Sequence, residues 1–164
     1  MPDGTPNPEA LTVIGWQRAG ALVGLFAPPG GDFADPHLAT PQAIYASGGA
    51  HHSASLRSRQ TVTPLAAKLA LPLNTAFPKG NEAALVQAAK TIGGVVLIAW
   101  EHEAIPAIAQ LILGGSQGVP QSWPGERFDL VWVFDRPVGN GIWSFTQVPQ
   151  RLLAGDSADP ILVG

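Results

Sequence analysis

Short continuous apolar runs alternate along this chain with stretches in which apolar residues recur every three or four positions. Runs of the first kind predict strands and stretches of the second predict helices. The clearest run is Val95-Val96-Leu97-Ile98-Ala99-Trp100, entered from Gly93-Gly94. Six apolar residues rich in branched side chains predict a strand buried on both faces. Ala104 to Leu113 follows with helical spacing, and Pro106 falls in its first turn, where a missing N–H costs nothing. Between strand and helix stand Glu101, His102 and Glu103, the most polar residues near any predicted buried strand end. Ligands of open α/β sheets bind in the crevice outside such ends, so the function is to be sought there.

The same patterns order the rest of the chain. Met1 to Glu9 is polar and Pro-rich and reads as loop. Thr12 caps a helix over Val13–Phe26, which Pro28-Pro29-Gly30-Gly31 ends. Ala43–Ala46 is a short strand, and Leu56–Leu69 a helix with Val62, Leu65, Ala66 and Leu69 as its buried stripe. Pro64 should kink that helix or mark a break, since it removes one backbone bond. Leu73–Phe77 reads as a short strand, and Asn81 caps a helix from Glu82 to Thr91. Phe128–Phe134 and Ile142–Val148 read as strands joined by the Arg136–Gly141 hairpin connection. No repeat or linker divides residues 1–164, so one domain is expected. The alternation of strands and helices predicts a three-layer α/β/α sandwich, its sheet mostly parallel, with a C-terminal antiparallel hairpin.

Composition narrows the function classes. The chain is 46% hydrophobic and 13% charged, yet no apolar run approaches the roughly 18–20 residues that span a bilayer, so no membrane partner is expected. A net charge of −3 without a basic stripe argues against nucleic acid. Absence of cysteine removes thiolate metal sites and Cys-dependent phosphatases and proteases. Met1–Ala10 carries no basic n-region or apolar h-region of a secretory leader, and the cytoplasm is the expected compartment.

Common motifs are missing: no Gly-x-x-x-x-Gly-Lys loop, no Gly-x-Gly-x-x-Gly after a strand, no Gly-x-Ser-x-Gly elbow between a strand and a helix, since Gly114-Gly115-Ser116-Gln117-Gly118 follows a predicted helix, and no His-x-x-x-His pair. No metal or cofactor is therefore expected. His37 and the adjacent His51 and His52 read as solvated loop residues. Two constellations remain. Ser55 to Thr61 opens a helix that follows a strand and carries Arg57 and Arg59. Arginines in a first turn oppose the helix dipole, and a bound anion resolves that conflict. The bland alternative is a pair of surface arginines. His102 between Glu101 and Glu103 is the second constellation, and flanking carboxylates would hold it protonated, which also suits an anion. The bland alternative there is a structural histidine.

The pieces Thr12-x-x-Gly15-Trp16-Gln17-Arg18-Ala19, Leu56-Arg57-x-x-Gln60-Thr61 and Val95–Trp100-Glu101-His102 resemble the histidine phosphatase (phosphoglycerate mutase-like) superfamily. Order and spacing agree over essentially the whole chain, through Trp123-Pro124-Gly125 and the hairpin. The resemblance implies a phosphate pocket of two histidines and two arginines, with Arg57 and His102 as two of the four. It implies a phosphorylated small molecule, or phosphate itself, as the partner. It leaves the general acid open among Glu82, Glu101 and Glu103, with Glu82 the weak first choice.

The family's Arg-His-Gly or Arg-His-Ala motif, which carries the nucleophile at the end of the first strand, has no counterpart before Val13. The expected molecule is a phosphomonoester hydrolase or phosphotransferase domain short of its nucleophile, inactive as it stands. The alternative is a non-catalytic module of the same fold that binds a phosphorylated ligand. A misplaced start codon and a truncated paralogue both explain the gap, and energetics favour the former. Each buried backbone group left unpaired costs about 1–3 kcal/mol against a net stability of roughly 5–15 kcal/mol. By the family's strand order the gap lies between Val95–Trp100 and Phe128–Phe134. It should show either two unpaired edges or direct closure of those strands. Arg57 and His102 should face one crevice at the C-terminal edge of the sheet.

Overall fold

The computed structural model describes residues 7–49, 56–139 and 141–163. Its elements are α1 (Val13–Phe26), β1 (Ala43–Ala46), α2 (Leu56–Leu69), β2 (Leu73–Asn74), α3 (Glu82–Lys90), β3 (Val96–Ala99), α4 (Ile105–Leu113), β4 (Leu130–Asp135) and β5 (Ser144–Pro149). A parallel sheet has the order β2-β1-β3, with Ile44 opposite Leu73 on one side and Leu97 on the other. A separate antiparallel ribbon pairs β4 with β5, Leu130 opposite Pro149 through Asp135 opposite Ser144. The fold is thus of the α/β class, a mostly parallel sheet accompanied by an antiparallel hairpin.

Strand side chains alternate between two apolar clusters, as the pleat requires. Ile44, Ala46, Leu97 and Ala99 join Leu22, Leu25 and Phe26 of α1 and Val62, Leu65 and Ala66 of α2. Tyr45, Val96, Ile98 and Trp100 join Leu85 and Val86 of α3 and Ile108 of α4. Helices therefore cover both faces of the parallel sheet. The ribbon enters the first cluster through Val131, Val133 and Val148, and meets Trp123, Ile105 and Ile161 through Leu130 and Trp132.

Thr12 caps α1 as its sequence predicts, accepting from Gly15 N–H at 3.1 Å. α4 ends at Gly114, whose φ of 77° is a left-handed conformation glycine adopts without strain. Other local expectations are corrected. α2 is one uninterrupted helix across Pro64. Asn81 precedes α3 without a side-chain capping bond, and Glu82 Oε1 instead accepts from Gly80 N–H at 2.9 Å. A 3-10 turn, His102–Ala104, occupies the start of the stretch expected to open α4. The strand expected over Leu73–Phe77 is only Leu73–Asn74. Phe128 is 63% exposed and lies outside β4.

The largest correction concerns β3. All four of its residues are half-buried rather than buried on both faces, whereas Ile44 to Ala46 of β1 are buried. The reason is topological: among the described residues β3 pairs with β1 alone, and β4 with β5 alone. Among the described residues no ladder joins β3 to β4, so those two strands do not close directly on each other. Among those residues, too, no helix is long and apolar enough to cross a membrane.

Candidate functional site

β1 and β3 are parallel neighbours, so the segments that follow them leave the sheet at one edge. β1 runs into Ser47 and Gly48. Ser47 is fully buried, and its hydroxyl donates to Glu101 Oε1 at 2.9 Å. That bond ties the two strand ends together across 54 residues of sequence. Gly48 makes a parallel bridge to Pro78. A Cβ there would lie 2.4 Å from the Thr75 carbonyl oxygen, closer than any side chain permits. Glycine is therefore dictated by backbone approach at the lip of the site.

β3 runs through Trp100 into Glu101 and the 3-10 turn. His102 is half-buried, and its Nε2 is 3.4 Å from where a Cβ on Gly125 would stand. The imidazole thus stands in the space beside Gly125 that a side chain there would enter. Glu103 is exposed and pairs with Lys79 at 3.0 Å. Its carboxyl is held below the usual range, first by that hydrogen bond, then by the charges of Lys79 and His102. The Lys79 ammonium is raised in turn by the bond to Glu103, against desolvation, with Glu101 and Glu82 adding to the same effect. The two glutamates that flank His102 thus direct their described bonds to Ser47 and Lys79, not to the imidazole.

Glu82 stands at the same edge, at the first turn of α3. Its Oε1 accepts from the Trp100 indole at 3.0 Å and from Gly80 N–H at 2.9 Å. Burial acts to raise this carboxyl, but the bonds from Gly80 and Trp100 and the charge of Lys79 outweigh it and leave it lowered.

Arg57 lies on the first turn of α2, in the β1–α2–β2 crossover, and is exposed. Its Nη2 donates to the Pro8 carbonyl, and Gln60, one turn on, accepts from Leu11 N–H at 2.7 Å. The segment before α1 is thereby fastened to the start of α2. Arg59 is half-buried. His51, His52 and Ser55 lie outside the described residues. His37 bonds to Asp35 at 2.8 Å and is half exposed, as expected of a loop histidine.

Residue type and spacing flagged Arg57, His102 and the three glutamates, but not Ser47, Lys79 or Trp100 as site residues. Ser47 had a readable signal, a small polar residue between a strand and a Gly-Gly pair. Lys79 had none, since its partner lies 24 residues away. Among the described residues no group of three or more His, Asp or Glu side chains is arranged to hold a metal ion. No family model, curated protein or solved structure matches this chain.

Proposed function

We propose that this chain is a histidine-phosphatase-type domain, a three-layer phosphoglycerate mutase-like sandwich that lacks its first strand. It binds the phosphoryl group of a small phosphorylated molecule, or phosphate, with Arg57 and His102. The observation that carries this reading is the common edge of β1 and β3. One strand leads to the arginine-bearing helix start and the other to His102, and Ser47–Glu101 links the two ends. The start of a 14-residue helix favours an anion, and the Arg57 guanidinium adds a planar fork of donors. The His102 ring, beside Gly125, supplies a further donor.

Phosphotransfer through phosphohistidine requires an imidazole activated as a nucleophile beside the phosphorus. None of the four histidines follows an arginine, so the motif that supplies it in the family is not among these residues. His102, matched to the histidine that stabilises phosphoryl oxygens, is not its substitute. The chain as it stands binds and does not turn over.

The test is thermal unfolding with inorganic phosphate or phenyl phosphate against sodium chloride at equal ionic strength. A ligand at a hundred times its dissociation constant stabilises by about 2.7 kcal/mol. For a domain of this size that raises Tm by roughly 5–10 °C. Arg57→Ala and His102→Ala should each remove most of the rise, and p-nitrophenyl phosphate should not be hydrolysed above background. An equal rise in the parent and both variants overturns the binding reading. Turnover by the parent overturns the claim of a missing nucleophile.

A further inference from the structure

The ladder of β4 and β5 ends at Asp135 and Ser144, and the connection beyond it carries apolar side chains into solvent. Val138 is 105% exposed and Ile142 73%. Trp143, the residue just before β5, is half-buried. The Arg136 guanidinium stands 4.8 Å from the centroid of its ring, and the Lys90 ammonium 5.8 Å. Lys90, the last residue of α3, also donates to the Leu111 carbonyl in the last turn of α4 at 3.0 Å. Leu111 is itself 42% exposed. The connection and the ends of two helices thus meet in one patch, joined through the Trp143 indole and the Lys90 ammonium.

Single apolar side chains on a surface are ordinary, but these are gathered around two exposed cations. Among the described residues neither Arg136 nor Lys90 forms an ion pair. Asp135, next to Arg136 in sequence, belongs to the opposite face of the ribbon, because side chains alternate along a strand. A bilayer surface answers both halves of the patch. It offers anionic headgroups to the cations and, a few ångströms deeper, an apolar phase to the aliphatic side chains. An indole is the side chain best suited to the boundary between the two. A protein partner needs a pocket shaped to each anchor, whereas a projecting tip enters fluid hydrocarbon without one.

We infer that this patch is a docking site for the surface of an anionic lipid bilayer. Val138 and Ile142 enter the interface, Trp143 lies at its boundary, and Arg136 and Lys90 meet the headgroups. The lack of a spanning run bears on crossing a membrane, not on resting against one. The docking is independent of whether the site at the strand ends binds phosphate: Lys90 precedes β3, whereas His102 follows it.

The experiment is sedimentation of the full chain with vesicles of phosphatidylcholine alone, or with phosphatidylserine as about one lipid in four. The expected result is at least tenfold stronger partition onto the anionic vesicles than onto the neutral ones. Replacing Val138 and Ile142 together (Val138→Ser, Ile142→Ser) should lower that partition at least tenfold, and Arg136→Gln about fivefold. All three side chains are exposed, so the urea midpoints of both variants should match the parent. No binding to anionic vesicles, equal binding to both kinds, or equal binding by parent and variants overturns the inference. Self-association without vesicles that the double serine variant abolishes also overturns it, since a second copy would then cover the patch. Loss of vesicle binding in Arg57→Ala overturns it as well, because lipid phosphates would then be held at the phosphoryl site. Stabilisation by free phosphate is read separately, so the two readings fail independently.

Discussion

Replacing Asp156 by asparagine should cost about 3 kcal/mol at neutral pH, although the residue lies in a loop at the far end of the chain. Asp156 Oδ1 accepts from Arg18 Nη2 at 2.6 Å. Oδ2 accepts from Arg18 Nη1 at 3.0 Å and from the N–H groups of Leu152 and Leu153 at 2.8 and 3.1 Å. The side chains of Arg18 and Asp156 are 14% and 5% exposed. Asparagine keeps one carbonyl oxygen for a backbone N–H but turns an amide toward the guanidinium, leaving a desolvated cation without its counter-charge. Breaking a buried pair from one side costs about 3–5 kcal/mol. Gln150 Oε1 still accepts from Arg18 at 3.0 Å, which places the loss at the lower end. The Asp156 carboxyl is held far below its ordinary range by the Arg18 bond, against burial, with Leu153 and Leu152 N–H assisting. A depressed carboxyl contributes stability above its unfolded value, near pH 4, and loses it as pH falls toward the folded value. The difference between parent and variant should therefore be flat from pH 7 to 5 and about 1 kcal/mol smaller at pH 3, at 1.4 kcal/mol per pH unit. Urea unfolding at the three pH values, followed by tryptophan fluorescence, measures it. With a slope of about 2 kcal/mol/M, the pH 7 midpoint should fall by roughly 1.5 M. A midpoint change below about 0.2 M, or a difference that widens on acidification, refutes the reasoning.

Gly48→Ala should destabilise the fold by about 2–4 kcal/mol, because the added carbon meets the backbone carbonyl of Thr75, which cannot swing aside. Its urea midpoint checks this. Thr12→Ala should lose about 1 kcal/mol with the cap of α1, read in the same way. Arg57→Ala should leave the midpoint within about 0.5 kcal/mol of the parent while abolishing stabilisation by phosphate, since the residue is exposed and its change touches no core. A large loss of stability in that variant would assign Arg57 to holding Pro8 rather than to a ligand.

Element type was legible wherever one chain segment sufficed to dictate it. Val13–Phe26 with its Thr12 cap, Ala43–Ala46 and Leu56–Leu69 form as the apolar spacing and local capping chemistry require. The polar trio after Trp100 was legible for the same reason, as a local break directly after an apolar strand, and it stands at the edge where β1 and β3 end. Pair partners were not legible. Nothing near Glu101 in sequence names Ser47, nothing near Glu103 names Lys79, and Arg18 and Asp156 stand 138 residues apart. Burial misled at β3 for a related reason. Six apolar residues state that a strand prefers an apolar environment, but its actual burial depends on what lies beside it, and among the described residues β3 pairs on one side only. Periodicity and capping are short-range properties that a segment carries with it. Which edge meets which edge, and which carboxylate reaches which donor, are decided only when the helices fix the strands in space.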